Sequence, residues 1–65
     1  MTFNSFRIVR EFNTSDAHFI LCEILANCIC PWYVFENTGG HLFAHRFVTW
    51  DIALSFLDQK GCVLV

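Results

Sequence analysis

Asn13-Thr14-Ser15-Asp16-Ala17-His18-Phe19-Ile20-Leu21-Cys22-Glu23-Ile24-Leu25-Ala26-Asn27 opens on four polar residues and then turns almost wholly apolar. The polar quartet has the chemistry of a helix start. A Ser or Thr oxygen accepts an unpaired amide hydrogen, and Asp16 suits the positive end of the helix dipole. Beyond it Ala17, Ile20, Leu21, Ile24, Leu25 and Cys28 recur at three- and four-residue steps, with Asp16, Glu23 and Asn27 opposite. The spacing predicts a helix over residues 16–27.

The flanking segments have a different period. Residues 3–12 alternate, with Phe6 and Ile8 on one face and Arg7, Val9 and Glu11 on the other, as a half-buried strand does. Pro31 stops helical structure, and the aromatic, β-branched run from Trp32 to Phe35 marks a second strand over residues 30–36. Asn37-Thr38-Gly39-Gly40 carries residue types that tolerate positive φ, so a hairpin turn is expected there, leading into a third strand over residues 41–48. A two-residue turn at Thr38-Gly39 would pair Glu36 with His41, Val34 with Phe43, Trp32 with His45 and Cys30 with Phe47. It would gather Glu36, His41, Trp32, His45 and Cys30 on one face, and Tyr33, Phe35, Leu42, Ala44, Arg46 and Val48 on the other.

Thr49 is a suitable N-cap for a second helix, in which Trp50, Ala53, Leu54 and Leu57 step at helical spacing. Gly61 is placed to end that helix in a left-handed conformation, and residues 62–65 form a closing strand. The order βαββαβ is that of an α+β, ferredoxin-like split βαβ sandwich: one domain over residues 1–65, a four-stranded antiparallel sheet with two helices on one face. That fold serves enzymes, metal carriers and binding modules alike, so it assigns no function.

Composition narrows the function classes. Hydrophobic residues make up 55% of the 65, including eight Phe and two Trp, more than so small a domain can bury. Apolar surface should therefore seek a partner, and a homodimer is the first expectation. The net charge is −2, and Arg7, Arg10, Arg46 and Lys60 are scattered, which argues against nucleic acid as a partner. Residues 40–48 are similar to the aromatic third strand of RNA-recognition domains, but they lack its leading basic residue and its Gly-aromatic-Gly core. Residues 1–13 have no continuous apolar core of a signal peptide, so reduced cytoplasmic thiols are expected for Cys22, Cys28, Cys30 and Cys62.

Three chemical alternatives remain. Cys28 and Cys30 with His41 and His45 supply four zinc-type ligands, although two histidines four apart on an extended strand stand some 13 Å from each other; His18 and Cys22 offer a second pair. Residues 19–35 are apolar enough for a membrane-associated role, but Glu23, Asn27 and Pro31 interrupt a spanning helix. Cys62-Val63-Leu64-Val65 has the outline of a prenylation box, with an atypical last residue and little basic charge upstream. No cysteine has the flanking signature of a catalytic nucleophile, and His41 beside Glu36 matches an ordinary cross-strand pair.

The expected function is thus a small non-catalytic protein-interaction or regulatory domain, of the accessory or inhibitor type that phages and plasmids encode. It would contact its partner through Phe19, Trp32, Tyr33, Phe35 and Trp50.

Overall fold

The computed structural model describes residues 6–64, and the expected starting residue Phe3 and final residue Val65 lie outside them. Four strands are followed by one helix: β1 (Phe6–Asn13), β2 (Ala17–Ile24), β3 (Trp32–Thr38), β4 (His41–Phe47) and α1 (Trp50–Gln59). The strands form an antiparallel meander in the order β1-β2-β3-β4, and α1 packs against β3 and β4.

This corrects the ferredoxin-like expectation: among the described residues there is one helix on the sheet, and residues 17–24 are a strand. Thr14 shows how the polar quartet misleads. Its side-chain oxygen accepts from the amides of Asp16 at 3.3 Å and Ala17 at 3.1 Å, as an N-cap would, while its own amide donates to the Ala17 carbonyl across 2.9 Å. The same side-chain chemistry closes a β1–β2 turn here instead of starting a helix.

The residues after the turn decide between the two. As a central strand, β2 is apolar on both faces, with Phe19 and Leu21 buried toward α1 and Ile20 and Cys22 on the other side, where Cys22 is buried among its neighbours. A strand apolar on both faces is a continuous apolar run and shows no alternation, so it imitates an amphipathic helix.

The β2–β3 register pairs Leu21 with Val34 and Phe19 with Glu36. The β1–β2 register slips between Ile8 and Arg10: Ile8 pairs with Cys22, but Arg10 pairs with Leu21. This bulge at Val9 reverses the facing of everything after it. Phe6 and Ile8 lie on the face away from α1, as does Glu11, while Phe12 turns under α1 into the core. The uninterrupted alternation expected of β1 is corrected by this single extra residue.

The β3–β4 hairpin forms where expected, but its turn is Gly39-Gly40, with φ of 58° and 82°. Positive φ at both central positions suits a type I′ turn and would strain β-branched Thr38. Thr38 therefore pairs with His41, Glu36 with Phe43, Val34 with His45 and Trp32 with Phe47. The shift from the expected register is two residues, so every side chain keeps its expected face while changing its partner.

Helix α1 matches its expected signals. The Thr49 hydroxyl accepts from the Ile52 amide at 3.2 Å, and Ala53 and Leu57 are fully buried. Gly61, at φ 89°, donates to Asp58, and Cys62 donates to Leu57, which satisfies the last carbonyls and draws Cys62 into the core. Among the described residues the expected closing strand is not formed: residues 62–64 run on as irregular backbone. The core consists of Phe12, Phe19, Leu21, Val34, Ala53, Leu57 and Cys62, between the sheet and α1.

The bulge makes a discriminating prediction. Phe12→Ala removes a buried ring and should cost about 3–5 kcal/mol in urea denaturation. Phe6→Ala, on the exposed face, should cost under about 1 kcal/mol. The opposite order would contradict the register.

Candidate functional site

The structure presents two places where side chains of chemical interest converge, one on each face of the sheet. No cavity is found among the described residues.

Under α1, Glu36 is the buried carboxylate of the sheet, and β3 carries it toward the hairpin end. Thr38 Oγ1 donates to its Oε2 at 2.7 Å, and His45 Nε2 lies 2.9 Å from its Oε1, a diagonal contact across the hairpin. Lys60 Nζ, from the end of α1, stands 4.0 Å from Oε2. The Thr38 hydrogen bond, aided by His45 and Lys60, holds the Glu36 carboxyl below its ordinary range against the opposing effect of burial. The rings of His45 and Phe47 also lean on Phe56 of α1, at 4.5 Å and 5.2 Å between centroids. Burial, and then the charge of Glu36, pushes the Cys62 thiol up, so Cys62 is kept as the neutral, unreactive thiol. This cluster fastens the C-terminal end of α1 to the hairpin.

On the other face no described element covers the sheet. The pairings arrange its side chains in rows: Asn13, His18, Asn37 and Leu42; then Glu11, Ile20, Phe35 and Ala44; then Ile8, Cys22, Tyr33 and Arg46; and at the far edge Phe6 and Ile24. Polar groups occupy one end and two corners, and the middle is apolar. Tyr33 and Phe35 stack at 5.7 Å, and the Arg46 guanidinium lies over the Tyr33 ring at 5.0 Å. Phe6 is 58% exposed, Ile8 52% and Leu42 71%. Cys22 is nevertheless buried beneath its neighbours, and burial, with Glu11 adding, raises its thiol. His18 bridges the polar corner, with Nδ1 2.6 Å from Asn13 Oδ1 and Nε2 3.1 Å from Glu11 Oε1.

The five residues expected to make contacts do not share one surface. Phe19 is a core residue. Trp32 and Trp50 pack edge to face at 4.9 Å on the helix side, and only Tyr33 and Phe35 belong to the open face. The expected ligands are also separated. Cys28 and Cys30 lie in the β2–β3 loop, His41 begins β4 at the opposite end of the hairpin, and His45 is engaged with Glu36. Among the described residues no group of three or more His, Cys, Asp or Glu is arranged to hold a metal ion. Nor is His18 beside Cys22 as a helix would place them, since β2 spaces them along one strand face. The expected Glu36–His41 pair is replaced by Glu36–His45, a consequence of the two-residue register shift. Residues 19–35 are β2, a loop and β3, and no helix among the described residues is long and apolar enough to cross a membrane.

Sequence reasoning missed Phe6, Ile8, Ile20 and Leu42. The alternation of β1 held the signal for two of them, but treating 16–27 as a helix left the face they complete without its centre.

The fold and this site define a class by architecture: an open-faced four-stranded meander backed by a single helix, with an apolar, aromatic free face. Compared with protein-family models, curated proteins and solved structures, the chain matches none.

The Glu36 cluster has a pH consequence. A carboxyl lowered in the folded state adds stability that is present above its unfolded value near 4.3 and is lost as pH falls through the lowered value. Denaturation followed from pH 7 down to pH 3 should show wild-type stability falling on the acid side, and Glu36→Gln should flatten that limb. Parallel curves for the two proteins would show that Glu36 is not so held.

Proposed function

We propose that the chain is a non-catalytic protein-interaction domain, acting as an accessory or inhibitor-type subunit that docks through its open sheet face. One observation carries this reading: an antiparallel sheet ordinarily turns a polar face to water, whereas this one offers Phe6, Ile8, Ile20, Tyr33, Phe35 and Leu42 on the side that no described helix covers. Tyr33 and Phe35, half-buried and stacked, are rigid aromatic anchors of the sort that dominate interface energies. The more exposed Ile8 and Leu42 supply the surrounding apolar contact.

The other face supports the division of labour. There Glu36 is satisfied by Thr38 and His45, and burial keeps the Cys62 thiol neutral, so that side fastens the helix.

Tagged protein expressed in its own cells tests the reading. Ile8→Glu and Leu42→Glu should each keep the folded far-ultraviolet spectrum and reduce partner capture by about tenfold or more, because each leaves a charge desolvated in the interface. Ile52→Glu, on the exposed side of α1, should leave capture unchanged. Capture unaffected by the two open-face changes would overturn the proposal.

A further inference from the structure

We infer that the occupant of the open face is a second copy of this chain, packed face to face about a two-fold axis that runs along the strands. The inference rests on the proposed docking role of that face and names its partner.

The placement of charge points to this pairing. Among the described residues the open face carries one acidic side chain, Glu11 on edge strand β1, and one arginine, Arg46 on edge strand β4. They occupy neighbouring rows, since Glu11 is in the row of Ala44 and Arg46 in the row of Ile8. Within one chain three strand spacings separate them, about 14 Å. Arg46 has no carboxylate partner among the described residues; its contact is the Tyr33 ring. Glu11 has His18 as its ion-pair partner at 3.1 Å among the described residues and lies close enough to raise the Cys22 thiol, so no full positive charge on this face is paired with it. His18 is the one other titratable group on this face, among the described residues, besides the buried Cys22 and the Tyr33 hydroxyl.

Two identical sheets stacked about 10 Å apart, with strands nearly aligned, can be related by a two-fold axis across the strands or along them. An axis across the strands lays β1 over the partner's β1. Glu11 then faces the partner's Glu11 one row away, and Arg46 likewise faces its own copy, so like charges meet at both edges. An axis along the strands lays β1 over the partner's β4. Glu11 then comes over the partner's Ala44, one row along from the partner's Arg46; with the sheets about 10 Å apart the two backbones stand about 12 Å from each other, a gap that a glutamate and an arginine reaching toward one another span. Because the interface is isologous, that pair forms twice, once at each edge, and encloses the apolar middle. Ile8 and Phe6 meet the β4 side of the partner, and Tyr33 and Phe35 meet its β2 side. The charges thus select one of the two packings and cancel within it.

The area bounds the association. Two strands of eight residues and two of seven make a face of about 19 by 25 Å, so two copies remove on the order of 1,000 Å² from water, at the small end of specific interfaces, where association is weak and concentration-dependent.

Sedimentation at graded concentrations tests the pairing on the wild-type chain and three charge variants. The wild type should pass from monomer to dimer with concentration. Glu11→Lys and Arg46→Glu, each creating like-charge contacts twice, should weaken the dimer by about tenfold or more. The double reversal should restore it to within about threefold of wild type. A second measurement does not depend on those variants: with Arg46→Lys, a zero-length carbodiimide should join Glu11 to the substituted lysine between chains, a bond that the distance within one chain forbids. A monomer at every concentration, a dimer indifferent to single reversals, or the absence of that cross-link would overturn the self-pairing. In the first case the docking role of the face would still be decided by the capture experiment with Ile8→Glu and Leu42→Glu.

Discussion

The pairing of β2 with β3, Leu21 against Val34, holds the molecule together. On the helix side those two residues and Phe19 form the floor on which Ala53 and Leu57 rest. On the other side Cys22, beside Tyr33, is the buried centre of the open face. A small domain has few residues that can be buried twice over, and a central strand uses them most fully, since each residue adds to one face or the other without a polar gap. The β1 bulge then brings Phe12 to the same side of the sheet as Leu21 and Val34, so that a single ten-residue helix is enough to close the core.

The division between the two faces follows from this economy. One helix covers one face, against β3 and β4, and its C-terminal end is fastened by Glu36, His45 and Lys60. Among the described residues there is no second helix for the other face, yet the sequence places aromatic and branched residues there. A sheet face with Tyr33 stacked on Phe35 and a cation over the Tyr33 ring is organised, with side chains supporting one another laterally. That preorganisation lowers the entropy cost of docking and is the physical basis of the proposed role.

How much of this was legible in the sequence depended on whether the deciding signal was local. The hairpin, the Thr49 cap and the Gly61 stop were legible because each is local chemistry: a left-handed turn, a hydroxyl accepting an amide, a glycine at positive φ. The sheet faces of β3 and β4 were legible too, because a two-residue register error preserves them. Residues 17–24 were not, since a strand apolar on both faces and a helix share apolar density, and Thr14 offers the same hydrogen bonds to either. The Val9 bulge left no mark in the pattern, being fixed by the demand of Phe12 for the core and not by any turn residue. The metal ligands Cys28, Cys30, His41 and His45 were proposed from residue type, and the hairpin keeps the cysteines and His41 at opposite ends.

Both the fold and the proposed docking depend most on residues 17–24 being the centre of the sheet, because without that strand there is neither a floor for α1 nor an open face to dock. Nuclear Overhauser contacts of the isolated protein address this directly. Cross-strand contacts are predicted from Leu21 to Val34 and from Ile20 to both Glu11 and Phe35, with no helical contacts between residues three apart over 16–27. A continuous series of such three-residue contacts through Phe19, Cys22 and Leu25, with the cross-strand set missing, would contradict that placement.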